Sequence, residues 1–89
     1  MSAATMEKLE KDELAMSVAQ ALALANEAAL GRGIVPADSL VTISEETTAT
    51  GRIWRIHYGP RNFINRRGGD LIVLVDEKTW AVQRIMHGQ

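Results

Sequence analysis

The sequence predicts an α+β fold in which one N-terminal helix packs across one face of a four-stranded antiparallel sheet. Three observations lead there: an early apolar stripe of helical period, a tryptophan-bearing strand of period two, and a hairpin pattern near the end.

The helix comes first. Leu14, Val18, Leu22, Ala25 and Ala29 recur at spacings of three and four, which puts them on one face of a helix over residues 12–30. Alanine at 15, 19, 21, 23, 25, 28 and 29 favours helix and keeps that face thin, so a sheet can approach it closely. Gly31 and Gly33 stop the helix. Thr5 and Asp12 both suit a cap; with Asp12 as the start, residues 1–11 are a frayed, charged N-terminal segment of a single domain, 1–89.

After Pro36 the chain turns to strands. Residues 40–44 read as a short strand, 45–51 as a polar, threonine-rich turn, and 52–58 as a second strand. In that second strand Trp54, Ile56 and Tyr58 share the core face, with Ile53, Arg55 and His57 opposite. Pro60 to Gly69 is a long connection, because Pro60 cannot donate to a ladder and Gly68 and Gly69 tolerate unusual dihedrals. Residues 71–75 form an uninterrupted apolar strand, 76–79 a polar turn, and 81–86 the returning strand. If Leu71, Val73, Val75 and Val82 face the helix, then Ile72, Leu74 and Ile85 fall on the other face of the sheet. An apolar second face without a cover implies a homodimer or a protein partner.

Composition narrows the function classes. At 89 residues the chain buries only about 60 to 65% of its unfolded surface, which argues against a deep enclosed active site. The absence of cysteine excludes disulfides and thiolate metal sites, and makes cytoplasm the expected compartment. The acidic and basic residues of the first fourteen positions are unlike an export signal. Residues 14–30, interrupted by Ser17, Gln20, Asn26 and Glu27, read as too polar for a membrane span. A net charge of −1 argues against nucleic acid.

A helix, the strand segment Ile53, Trp54, Arg55, Ile56, a loop ending Gly68, Gly69, then an apolar strand, an Asp76 turn, a strand and a terminal His87, Gly88 together resemble a known family. The chain looks like the immunity proteins of nuclear transport factor 2-like, cystatin-like fold encoded by bacterial polymorphic toxin systems. The resemblance spans residues 53–89, with the helix similar in kind. It implies a cystatin-like fold and a non-enzymatic, cytoplasmic binding protein that neutralises a toxin, with no cofactor and no reaction. The chain departs from the family at the turn, where Asp, Lys, Thr leads into glycine and this sequence has Trp80. A bulky residue in a left-handed position costs about 1 kcal/mol or more, so either the turn differs or Trp80 serves a contact. The same helix-plus-hairpin pattern also resembles PepSY domains, which are linked to peptidase inhibition or regulation and are usually exported. They imply, as the alternative, a self-associating structural or regulatory domain without a toxin partner.

No catalytic signature competes with these readings. No serine sits in a glycine-flanked elbow, and Glu45 with Glu46 precedes a threonine run that a solvated turn explains. His57, His87, Asp70 and Asp76 lack the spacing of a recognised metal motif; Asp76 reads as a turn former and His57 as a partly exposed sheet residue. Arg52, Arg55, Arg61, Arg66 and Arg67 fall in a stretch free of acidic residues, with Phe63 among them. They read either as solvated or internally paired side chains or as an anionic-partner patch. The expected partner-binding set is therefore Arg61, Phe63, Arg66, Arg67 and Trp80, acting with the uncovered sheet face.

Overall fold

A computed structural model describes residues 2–61 and 70–87. Two helices precede four strands: α1 (Ala3–Lys11), α2 (Glu13–Gly31), a single 3₁₀ turn at Pro36–Asp38, β1 (Ser39–Thr48), β2 (Gly51–Pro60), β3 (Leu71–Asp76) and β4 (Ala81–His87). The strands form one antiparallel sheet in chain order, β1-β2-β3-β4. This is the expected α+β arrangement, a helix laid on one face of a meander.

Residues 3–11 form a helix of their own rather than a frayed approach to the next one. The Ser2 hydroxyl accepts from the Thr5 amide and opens α1; Asp12, in extended conformation, ends it and caps α2 by accepting from the Ala15 amide at 3.0 Å. One residue thus makes a sharp break between two helices. α1 buries none of its side chains, so it extends outward from the rest of the chain.

α2 runs to Gly31 and closes as a Schellman turn: the Gly33 amide donates to the Leu30 carbonyl and the Ile34 amide to that of Ala29, with Gly33 at φ +80°. By length and composition α2 reaches the threshold for crossing a membrane, contrary to the sequence-based expectation. In this fold it lies on the sheet instead, through Ala21, Ala25 and Ala29, each fully buried. Three methyl groups in a row let the helix axis come close to β3, against which it chiefly packs, with β2 and β4 to either side.

The core beneath that stripe is Trp54, Ile56 and Tyr58 from β2 and Leu71, Val73 and Val75 from β3. All six fall on the face that a period of two assigns them. Tyr58 is 2% exposed, and its hydroxyl donates to Asn26 Oδ1 of α2 at 2.7 Å, so its one polar atom is satisfied. Burial pushes its pKa up to about 12.

Two strand expectations require correction. β1 is ten residues long and takes in Glu45, Glu46, Thr47 and Thr48, which by polarity read as a turn. The connection shrinks to Ala49 and Thr50, closed by Thr48 Oγ1 donating to the Gly51 carbonyl and accepting from the Thr50 amide. Polarity misleads here: an edge strand with solvent beside it carries Glu and Thr freely, and threonine is a strand former. The second correction concerns Ile85. A β-bulge lies between the Leu74–Arg84 and Val75–Val82 pairs, so Gln83 has no partner of its own. The extra residue reverses the phase of β4, and Ile85 joins Val82 against the helix-side core instead of facing outward.

Candidate interaction surface

The face of the sheet turned away from α2 is built by pairing. Thr42, His57, Ile72 and Met86 form one cross-strand row; Ser44, Arg55, Leu74 and Arg84 form the next; Glu46, Ile53, Asp76 and Ala81 form the third. Neither helix packs on this side. Ile72, Leu74 and Met86 stay half-buried and Leu40, at the β1 end, is 51% exposed, while Ile53 is buried at 5%. An apolar band therefore crosses the face between basic and acidic groups. Among the described residues Arg55 and Arg84, on either side of Leu74, make no ion pair.

At one end of this face His57 Nε2 lies 2.7 Å from Asp70 Oδ2. The imidazole crosses the backbone of Gly59, where a Cβ would meet His57 Cε1 at 3.2 Å, so glycine makes room for the ring. His87, by contrast, sits at 3.1 Å from Arg32 at the end of α2, and Asp76 Oδ1 accepts from the Lys78 amide as a turn former does. Of the four residues, His57 and Asp70 meet, whereas His87 and Asp76 bond to other partners. Among the described residues no group of three potential metal ligands converges.

The arginine cluster is divided by strand geometry. Arg52 and Arg55 are three apart, so they project from opposite faces of β2. Arg52 turns to the helix side, where it meets Glu45 at 2.7 Å and Glu77 at 3.4 Å and covers the Trp54 ring at 5.4 Å. Glu77 also accepts from the Trp54 indole N–H at 3.1 Å, which satisfies a donor on a residue only 3% exposed. Sequence reading places Glu77 in a polar turn and misses this role. Its signal is the hairpin register, which sets the β3 end beside Arg52.

Of the expected contact residues, Arg61 is exposed just beyond β2, and Phe63, Arg66 and Arg67 lie outside the described residues. Trp80 sits in the turn before β4 at φ 50°, the left-handed region that the departure from glycine flags. Its ring packs against the helix-side core and is half-buried, so it does not belong to the open sheet face.

Among the described residues, two hollows on the helix side bear on binding. An open groove of ≈ 490 Å³ runs between α2 and β1, lined by Leu22, Asn26, Leu30, Val35, Pro36 and Val41 among others. A second, of ≈ 430 Å³, lies at the start of α2 and is lined by Glu13, Glu45, Arg52 and Glu77 among others. Comparison of the chain with family models, curated proteins and solved structures returns no match.

Proposed function

We propose that this chain is a small, non-enzymatic protein-binding domain that docks a partner on the open face of its sheet and acts by occlusion, in the manner expected of a toxin-neutralising immunity protein. The observation that supports this reading is the Leu74 row: an apolar side chain half-buried between two arginines that make no ion pair among the described residues, on a face that neither helix covers. Interfaces favour an apolar centre with arginine beside it, and arginine captures carboxylates bidentately. The partner is accordingly a protein with an acidic rim around an apolar patch, and Arg61 extends the basic side past the end of β2. The setting that goes with the reading is the bacterial cytoplasm, with no cofactor.

Gene neighbourhood followed by co-purification tests it. A large secreted toxin encoded beside this chain, whose toxic domain co-elutes with it and loses lethality in its presence, is the expected result. Leu74→Lys abolishes both effects. A neighbour that is no toxin, or a toxin whose lethality is unchanged, overturns the reading.

A second reading rests on a different feature of the same face. The Glu46 and Asp76 row adjoins the Arg55 and Arg84 row, so two copies stacked in opposite strand directions bring acid onto base. A face of four strands, each about 25 Å long and about 4.8 Å apart, covers roughly 480 Å². Two such faces bury roughly 1,000 Å², the lower bound of a specific interface. Light scattering separates the two: a strict monomer at high concentration excludes the homodimer.

A further inference from the structure

β1 and β4 are both edge strands, but they are not alike. β4 is short, bulged at Gln83 and carries Arg84, which are features that discourage a further strand. β1 runs for ten residues with no proline, glycine, lysine or bulge, and Val41, Thr42, Ile43, Thr47 and Thr48 are β-branched. Such an edge is a template for strand addition unless something covers it.

What lies beside it is specific. Val41, Ile43 and Glu45 pair with Tyr58, Ile56 and Trp54, so all three project toward the helix side. α2 is centred on β3, which leaves the β1 margin of that side as a trough. The trough is apolar at Val41, between Leu22, Leu30 and Val35. At Glu45 it is acidic, because Glu13, Glu45 and Glu77 line it together with one basic residue, Arg52, which pairs with Glu45 and Glu77. The two ends are four residues apart on one strand, about 13 Å.

We propose that the free edge of β1 binds an extended segment of a partner protein, which joins the sheet as a fifth strand. The segment sets an apolar side chain in the groove between α2 and β1, and a lysine or arginine four positions away at the acidic end. Main-chain bonds to β1 supply affinity, and the two hollows select the side chains. A second copy of β1 is a poor occupant, since residues 33–51 carry Asp38, Glu45 and Glu46 and no basic residue, so like charges would meet. This surface is separate from the open sheet face and does not depend on what docks there.

Short synthetic peptides test it with the intact chain, one alternating threonine with arginine, valine and valine, one with that order reversed to allow the parallel direction, and each with glutamate in place of arginine. Amide shifts of isotope-labelled protein are expected along β1 and at Leu22 and Leu30 with one of the arginine peptides. The matching glutamate peptide binds at least about tenfold more weakly. Glu45→Arg reverses that preference, and Glu13→Lys, which leaves the Arg52 pairs and the β1 ladder intact, reduces it. The proposal is overturned if no peptide shifts the β1 amides, if arginine and glutamate peptides bind alike, or if β1 amides shift with protein concentration alone, which would assign the edge to a second copy.

Discussion

Trp80 combines backbone strain and side-chain packing at a single position. The sequence leaves open whether the turn differs or Trp80 serves a contact; the structure has a left-handed backbone at φ 50° with the ring against the helix-side core. Strain and packing can be separated by two substitutions. Trp80→Ala keeps the left-handed penalty and loses the ring, and is expected to destabilise by about 2 kcal/mol. Trp80→Gly loses the same ring but relieves the strain, so its denaturant midpoint lies above that of the alanine variant. Tyr58 gives a pH signature of equal clarity. Its native pKa of about 12 lies above the 10.0 of an unburied tyrosine, so between these values the unfolded chain releases the proton and the native chain retains it. The stabilising difference is complete below pH 10 and is lost as pH rises toward 12, by the order of 2 kcal/mol. Tyr58→Phe should flatten that alkaline limb, as followed by denaturation at stepped pH.

Among the elements, β4 and α1 are where pattern and structure part. Alternation along residues 81–86 gives the correct strand, yet the phase of Ile85 depends on Gln83 being unpaired, which no local propensity encodes. Deleting Gln83 removes the bulge and sets Val82, Arg84 and Ile85 in plain alternation opposite Val75, Leu74 and Val73, so both apolar residues keep the core face. A change of less than about 1 kcal/mol in denaturant unfolding is expected for the deletion and less than about 0.5 kcal/mol for Gln83→Ser; a loss of roughly 2 to 3 kcal/mol on deletion would mean that the bulge itself holds β4 in place. α1 is the opposite case, an element that forms but contributes little burial. Removal of residues 2–11 should leave the thermal midpoint within a few degrees, since no buried side chain goes with them. Loss of folding on that truncation would mean that α1 carries packing not visible in its burial.

Across the whole molecule, the extents of 41 × 37 × 19 Å and radius of gyration of 14.2 Å exceed the roughly 12 Å expected of a compact chain this long. The thin dimension is one helix on one sheet, and the projecting α1 adds to the long ones. A two-layer molecule tolerates charge on its open side and not between its layers. Leu74→Lys should therefore cost less than about 1 kcal/mol, and Val73→Lys, at a fully buried site one residue away, should prevent folding; circular dichroism and denaturation distinguish them. Equal effects would mean that the open face is covered in the free protein. The sequence by itself determined the α+β class, the span of α2 and the faces of β2 and β3, because each follows from short-range periodicity, and it left the turn at Trp80 open until the structure gave its positive φ. Only the tertiary structure decided that Glu77 satisfies Trp54, that Arg52 and Arg55 serve opposite faces, that β1 extends through its threonines, and that a trough lies between α2 and β1. Those features arise from register, a bulge and the lateral position of a helix on a sheet, which depend on contacts between residues far apart in the chain.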